Sequence, residues 1–273
     1  MAENGEFAPQ DLVLTLFGAH LDPRTRRVWS GGLVALLAEF VFSPGAARIA
    51  LARMVHRGLL ARHRSGRLVY YTLTEHAQGI LAEGDRRIFS FGRTTPASAT
   101  WTVLWQAIPE DRRQAREWLV RRLRFAGFGS LQDGTWLAPR DREREVAALV
   151  AELDVAEYVG VLLGRPAGLL DFHTVLDRAW RLPELAARYQ VFVAEFAGSV
   201  TDGLDDRAAL VLRTRLVHLF RQFPTLDPEL PTDLVAPPPG RADAVALFHD
   251  RYPALELPAR RYFDRLVHEG GQS

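Results

Sequence analysis

Apolar positions recur with helical spacing over residues 9–20, placing Leu12, Leu16 and Phe17 on one face, before a polar stretch at 22–27. Ser30 is placed to cap a second helix running to residue 40. After a tight turn at Val41-Phe42, Ser43 supplies an N-cap and Pro44 an N1 proline for a third helix, which Gly58 ends as a C′ glycine. Two strand-like runs, 59–64 and 67–74, flank Ser65-Gly66, a two-residue hairpin turn. A helix over 74–89 follows, and residues 92–99 (GRTTPASA) read as a linker. Helix, helix, turn, helix, hairpin is the order of a winged helix-turn-helix, predicted for residues 1–92.

Beyond the linker the periodicity changes. A strand at 100–107, a basic amphipathic helix at 110–125, short strands at 128–131 and 135–138, a helix at 141–153 and an apolar strand at 155–163 follow in turn. That is a ferredoxin-like βαββαβ order over 100–164, closed by Gly164-Arg165-Pro166. The remainder, 165–273, reads as helical, with segments near 169–180, 183–200, 205–223, 242–252 and 258–268. The expected fold class is α+β in three domains, the last a helical effector and dimerisation domain.

Composition narrows the class. The 273 residues are 48% hydrophobic and 25% charged, enough to bury real cores. With no cysteine, a disulfide framework, a thiolate metal site and a thiol nucleophile are all excluded. The first residues, MAENGEFAPQ, lack a basic stretch followed by an apolar one, and no apolar run is long enough to span a bilayer, so a cytoplasmic protein without membrane contact is expected. Net charge is only +1, but nine arginines against Glu39 alone lie between Arg24 and Arg67. All 34 basic residues are arginine, so arginine abundance by itself carries no signal.

In the third helix Ala47, Ala50, Leu51 and Met54 form the core face, which leaves Arg48, Ile49, Ala52, Arg53 and His56 outward. Arginine suits guanine O6 and N7, and alanine or isoleucine suits a thymine methyl, so these are the side chains of a recognition helix in double-stranded DNA. A merely solvated face is the competing reading; the preceding turn, both caps and the hairpin favour DNA. Arg62, Arg64 and Arg67 surround the hairpin tip, where a wing reaches phosphates or a minor groove. A charged edge hairpin kept soluble is the alternative there. For Arg24, Arg26 and Arg27 an ordinary polar loop is as good an account as backbone contact.

The runs WSGGLVALL (29–37), AARIALARMVHRGLL (46–60) and SGRLVYYTLT (65–74), with LDPELP (226–231) after HLFRQF (218–223), resemble the phenylacetic acid catabolism repressor family, the PaaX-type regulators, over essentially the whole chain. The resemblance implies a homodimeric transcriptional repressor that binds an inverted-repeat operator and leaves it when an aryl-acyl-CoA effector binds. No effector motif matches residue by residue. From the residues themselves, Trp180, Tyr189, Phe192 and Phe196 with Arg213 could line an effector pocket for an aryl group and an anion, although such stripes commonly form core.

Catalysis has little support. The run WQAIPEDRR (105–113) looks like the first strand end of ferredoxin-like CRISPR-adaptation nucleases, which need a metal-binding aspartate there; this chain has Gln106 and Ala107. Glu110 and Asp111 are explained by the helix start. His173 and Asp177 share helical spacing but have no third ligand, and no Gly-rich phosphate loop or nucleophile elbow is present. Neither a metal nor a cofactor is expected, and a metal-dependent nuclease on the central domain is the alternative.

Overall fold

The computed structural model describes residues 7–93, 100–167, 172–201 and 203–268. Most of the expected linker and the start of the helix expected from 169 lie outside these. The fold is mixed helix and sheet, and it divides into two compact units, each assembled from separated stretches of chain.

The first unit takes residues up to Phe89, Glu195–Arg221 and everything from Ala246. Its N-terminal part runs α1 (Pro9–His20), β1 (Val28–Trp29), α2 (Ser30–Ala38), α3 (Pro44–His56), β2 (Leu60–Ser65), β3 (Leu68–Leu73) and α4 (Glu75–Ser90, whose last residue falls in the second unit). The sheet order is β1-β3-β2, all antiparallel. Two-residue β1 has no counterpart in the sequence pattern, because so short a strand shows no alternation. Val28 pairs with Tyr71 and Trp29 with Tyr70. Ser30 is the first residue of α2 and not its cap, which is Trp29 in an extended conformation. The hairpin turn is also one residue further on than expected: Ser65 pairs with Leu68, so Gly66-Arg67 forms the loop, with Gly66 at φ +59° taking the position that asks for glycine.

Helices α9 (Asp206–Phe220) and α12 (Glu256–His268) also belong to this unit. Ala209, Leu210, Ala259, Phe263 and Val267 are buried in one cluster with Leu12, Leu16, Phe17, Leu33, Leu36 and Leu37. At about 1.5–3 kcal/mol for each large side chain fully buried, this shared cluster dominates the unit's stability. Where α2 meets α12 the backbones nearly touch: a Cβ on Gly32 would lie 2.4 Å from the carbonyl oxygen of Leu266. The end of α2 is held as well, Glu39 accepting from Tyr262 Oη at 2.6 Å and pairing with Arg207 at 2.5 Å.

A buried polar seam joins α1 to α9. Thr15 donates to the Asp11 carbonyl at 3.0 Å, so its oxygen accepts from Arg221 at 2.9 Å and from His218 Nδ1 at 2.8 Å. His218 therefore carries a proton on Nδ1. His20 Nδ1 faces the Arg213 guanidinium at 3.4 Å and must accept, which leaves Nε2 to donate to Thr214 at 2.8 Å. Burial, aided by Arg221 and Arg215, pushes the His218 pKa down to about 3; burial and then Arg213 hold His20 well below its ordinary value.

The second unit comprises Ser90–Ala194 and Gln222–Val245. It contains β4 (Trp101–Gln106), α5 (Arg113–Phe125), β5 (Gly129–Gln132), β6 (Thr135–Ala138), α6 (Glu143–Glu152) and β7 (Val159–Gly164), in an antiparallel sheet of order β5-β6-β4-β7. The apolar run expected as a strand from 155 begins as a 3-10 turn, Ala156–Tyr158. Leu104, Ile108, Leu119, Leu123, Phe128, Trp136, Val146 and Val155 close the core against the helices. Next come α7 (His173–Trp180), α8 (Leu182–Phe196) and α10 (Phe223–Leu226), and α11 (Arg241–Ala254) enters the first unit; α8 ends there too. The LDPELP run is the hub of a polar cluster: Asp227, 6% exposed, accepts from Tyr189 Oη at 2.6 Å, Arg241 Nε at 2.8 Å and the Glu229 amide at 2.7 Å. Arg241 also reaches Glu229 at 2.8 Å.

Two tests follow from the first unit. Gly32→Ala should cost about 1–3 kcal/mol in urea unfolding, since neither backbone can retreat without uncovering the core. The buried histidines set a pH dependence. Unfolded, His218 takes a proton below about pH 6.5, while in the fold it resists until about pH 3. The unfolded state thus binds more protons across that window, and stability falls as pH drops through it, by up to about 1.4 kcal/mol per unit from this residue. His218→Asn should flatten the curve measured between pH 7 and 5.

Candidate nucleic-acid interface

Helix α3 owes its sharp ends to its sequence. Ser43 Oγ accepts from the Ala46 amide at 3.2 Å and Pro44 opens the first turn. At the other end the Gly58 amide bonds to the Val55 carbonyl and the Leu59 amide to that of Met54, with Gly58 at φ +67°, a Schellman motif. The same motif closes α2, its Phe42 and Val41 amides reaching Leu37 and Ala38, but here the left-handed residue is Val41 at φ +66°. A β-branched side chain is strained in that region. Val41 is nonetheless 70% exposed, so packing does not repay the strain.

With Ala47, Ala50, Leu51 and Met54 buried, the helix turns Arg48, Ile49, Ala52, Arg53 and His56 to solvent. Ile49 is 54% exposed, an apolar side chain in the middle of a charged face. In the hairpin, Arg62 and Arg64 share one face of β2 and are exposed, as is Arg67 in the loop. Arg64 Nε donates to the Gly66 carbonyl at 3.0 Å, which steadies the tip.

The partners of the arginines separate two populations. Arg24 pairs with Asp85 at 2.5 Å and Arg26 with Asp264 at 2.6 Å, so the polar-loop account holds for both. Arg86 and Arg87 share Glu83. Among the described residues, Arg48, Arg53, Arg62, Arg64 and Arg67 have no carboxylate partner, and neither does exposed Arg27. Helix α3 and the hairpin therefore gather cations that, among the described residues, no carboxylate neutralises.

The residues expected at an effector pocket are distributed differently. Trp180 donates to the Gly127 carbonyl at 3.2 Å, stands edge-on to Trp101 and lines a cavity of about 520 Å³. Tyr189 stacks on Phe223 at 4.1 Å, and Phe192 meets Phe223 edge-on at 5.6 Å. Burial and then the Asp227 carboxylate push the Tyr189 phenol up. Phe196 is buried and belongs to the first unit, as does Arg213. The Arg213 guanidinium lies 3.9 Å from the Tyr252 ring centre, donates to the Ala19 and Tyr252 carbonyls and is 4% exposed. The apolar stripe of α9 that makes Arg213 look like a pocket edge is the face that packs on α1. Sequence periodicity does not single out Arg124, Arg178, Arg181 and Arg188, which gather around the Trp180 cavity from separate elements that no short-range pattern links.

At the strand end where a nuclease would carry an aspartate, Gln106 Oε1 accepts from the Ile108 amide at 2.9 Å. Among the described residues no group of three histidine, aspartate or glutamate side chains could hold a metal ion, and no helix is long and apolar enough to cross a membrane.

A mixed α+β chain with an arginine-bearing helix and hairpin is the class these observations define. The chain belongs to the PaaX-like protein family: its residues 8–77 match the PaaX-like protein model, 94–175 that of the PaaX protein central Cas2-like domain, and 180–265 that of the PaaX-like protein C-terminal domain. It is 26% identical to the transcriptional repressor PaaX of Escherichia coli over 239 residues, 82% of this chain and 73% of the relative. It shares a fold with an uncharacterized protein, Rv0674, of Mycobacterium tuberculosis, with a TM-score of 0.58 at 24% identity over 95% of this chain and 98% of that one.

The caps give a stability test that does not touch the arginines. Ser43→Ala should cost about 1 kcal/mol by loss of the N-cap bond. Val41→Gly should stabilise by about 1 kcal/mol by relieving the left-handed strain. Chemical denaturation of both variants checks the two signs together.

Proposed function

We propose that the chain is a DNA-binding transcriptional repressor whose N-terminal unit acts as a winged helix-turn-helix. Helix α3 enters the major groove and the β2–β3 hairpin is the wing. The observation that carries this reading is the set of exposed arginines on α3 and the hairpin that, among the described residues, have no carboxylate partner, beside neighbours such as Arg24 and Arg26 that do. Arg48 and Arg53 would read guanine edges, Ile49 and Ala52 would meet thymine methyls, and His56 would stand at the end of the same face. Arg62, Arg64 and Arg67 would neutralise phosphates. The name of the Escherichia coli relative supports repression.

The finer domain reading belongs to the same proposal: a winged domain at 1–92, a central domain at 100–164 and a helical one at 165–273. The strand order β5-β6-β4-β7, with two helices on one face, supports a ferredoxin-like centre. The protein would work in the cytoplasm as a homodimer on an inverted repeat, since a two-fold protein matches two half-sites. An aryl-acyl-CoA effector would release it. Of the sequence-predicted pocket residues, Trp180 lines the cavity of about 520 Å³, and it is kept as part of the effector proposal.

A metal-dependent nuclease is the second reading, favoured by the Cas2-like description of the central family model. The strand-end amide of Gln106, tied to its own chain, does not fit a divalent ion. Magnesium-dependent cleavage of duplex DNA would establish it.

The test of the repressor is a binding series on an operator found by genome-wide capture. Arg48→Ala and Arg53→Ala should each cost about 1–3 kcal/mol on the operator and far less on random DNA. The triple Ala variant at Arg62, Arg64 and Arg67 should weaken both alike and flatten the slope of log K against log salt by roughly 0.9 for each phosphate no longer neutralised. Unchanged binding in both variants overturns the reading.

A further inference from the structure

Helix α5 carries more on its surface than its core face accounts for. Leu119 and Leu123 are its buried residues, and its 13 positions hold five arginines against one glutamate, Glu117. Arg113 pairs with Glu117 at 2.9 Å and Arg116 with Glu110 at 2.7 Å, which neutralises two of the five. Arg121, Arg122 and Arg124 are exposed and, among the described residues, have no carboxylate partner. Arg124 lies 5.8 Å from the Trp136 ring centre.

The other two share a stripe with the exposed aromatics of the helix. Trp118, Arg121, Arg122 and Phe125 stand at i, i+3, i+4 and i+7, the spacing of one helix face. Trp118 is 47% exposed and Phe125 46%, although burying either ring would stabilise the fold. The Arg121 guanidinium lies 4.6 Å from the Trp118 ring centre, a cation–π contact that steadies both side chains. Two rings about 10 Å apart along the helix axis thus bracket two guanidinium groups.

This combination discriminates among the partners of a basic surface. An acidic peptide would answer the arginines, but the negative faces of the two rings would oppose its carboxylates. An anionic membrane takes up a helix through a broad apolar face, and here Leu119 and Leu123 are spent on the core. A second copy needs about 800 Å² from each partner with few uncompensated charges at the centre, more than one stripe of a short helix offers. Duplex DNA would meet the arginines through its phosphates, while its bases, stacked on one another, left the rings idle. Single-stranded nucleic acid uses both features: every base offers a π face to a ring, and the phosphates between bases meet guanidinium forks.

We infer that this stripe of α5 binds single-stranded nucleic acid, with bases stacked on Trp118 and Phe125 and phosphates held by Arg121 and Arg122. The contact tolerates any sequence, because stacking does not read base edges. The site lies within the second unit and does not rest on the repressor reading, whose DNA contacts fall on α3 and the hairpin of the first.

The test is fluorescence anisotropy of a labelled oligothymidylate of about twelve nucleotides, a length within the usual site size, titrated with the full chain. It should bind, and the Arg121→Ala/Arg122→Ala pair should flatten the slope of log K against log salt by about 0.7 for each phosphate no longer neutralised. Trp118→Ala should weaken binding about tenfold, and Trp118→Phe, which keeps a ring, by less than about threefold. Arg165→Ala, at an exposed position just after β7, should bind as the parent does, and melting temperatures should show every variant folded. No anisotropy change, or affinity unchanged in Trp118→Ala and in the arginine pair, would overturn the site. So would a random duplex of the same length losing as much affinity in Trp118→Ala, since the stripe would then be a general phosphate contact. Polyglutamate binding that falls in the same variants would hand the stripe to an acidic peptide. A changed oligomeric state in Trp118→Ala with oligothymidylate affinity intact would hand it to a second copy; either result overturns the proposal. Oligothymidylate forms no duplex, which keeps the two readings apart: Arg48 and Arg53 variants that retain operator affinity sink the repressor while the titration still decides the stripe.

Discussion

Everything at the N-terminal end depends on α2 lying backbone to backbone with α12, an approach that only Gly32 allows. That contact lets Ala259, Phe263 and Val267 fill the flank left open by α1 and α2, and α9 closes the remaining side. Helix α3 is then fixed from within: Ala47, Leu51 and Met54 belong to the same buried cluster, so the rotation of the helix about its axis is set by core packing. Its outward face follows without any side chain of that face being used to hold it. A surface intended for another molecule can carry charge only if the scaffold does not need that charge, and the helix meets this condition.

Electrostatics sort the arginines the same way. Ion pairs such as Arg24–Asp85 are partly exposed, and each contributes at most about 1 kcal/mol. Their value lies as much in local neutrality as in stability. On α3 and the hairpin, among the described residues, no carboxylate supplies that neutrality. Arginine abundance, which carries no information as a count, becomes informative once each guanidinium is classified by what it touches.

What can be read from the sequence follows the range of the interactions. The ends of α3 are legible because Ser43, Pro44 and Gly58 act within a few residues of themselves, and its two faces are legible because helical periodicity is local. The hairpin is legible but the sequence pattern puts its turn one residue early, since Ser65-Gly66 and Gly66-Arg67 both offer a glycine and only the cross-strand register, Ser65 opposite Leu68, chooses between them. Strand β1 is invisible because two residues cannot alternate. Arg213 looks like the rim of a pocket because its burial comes from α1, nearly two hundred residues earlier in the chain, and the cleft arginines are hidden for the same reason.

The two buried polar clusters show why long-range contacts of this kind persist although they contribute little net stability. A carboxylate such as Asp227, taking bonds from Tyr189, Arg241 and the Glu229 amide, is costly to bury and is repaid only when all its partners arrive together. A slip of α8 or α11 by one residue would remove a donor and leave a buried charge unanswered. The seam between α1 and α9 imposes the same condition with neutral imidazoles, His20 engaged through both ring nitrogens and His218 through Nδ1. Apolar packing would tolerate several registers of these helices; the polar contacts tolerate one. The resemblance in the LDPELP run is thus explained by a structural demand, since Asp227 and Glu229 position α11 through Arg241, and no ligand has to be invoked for either residue.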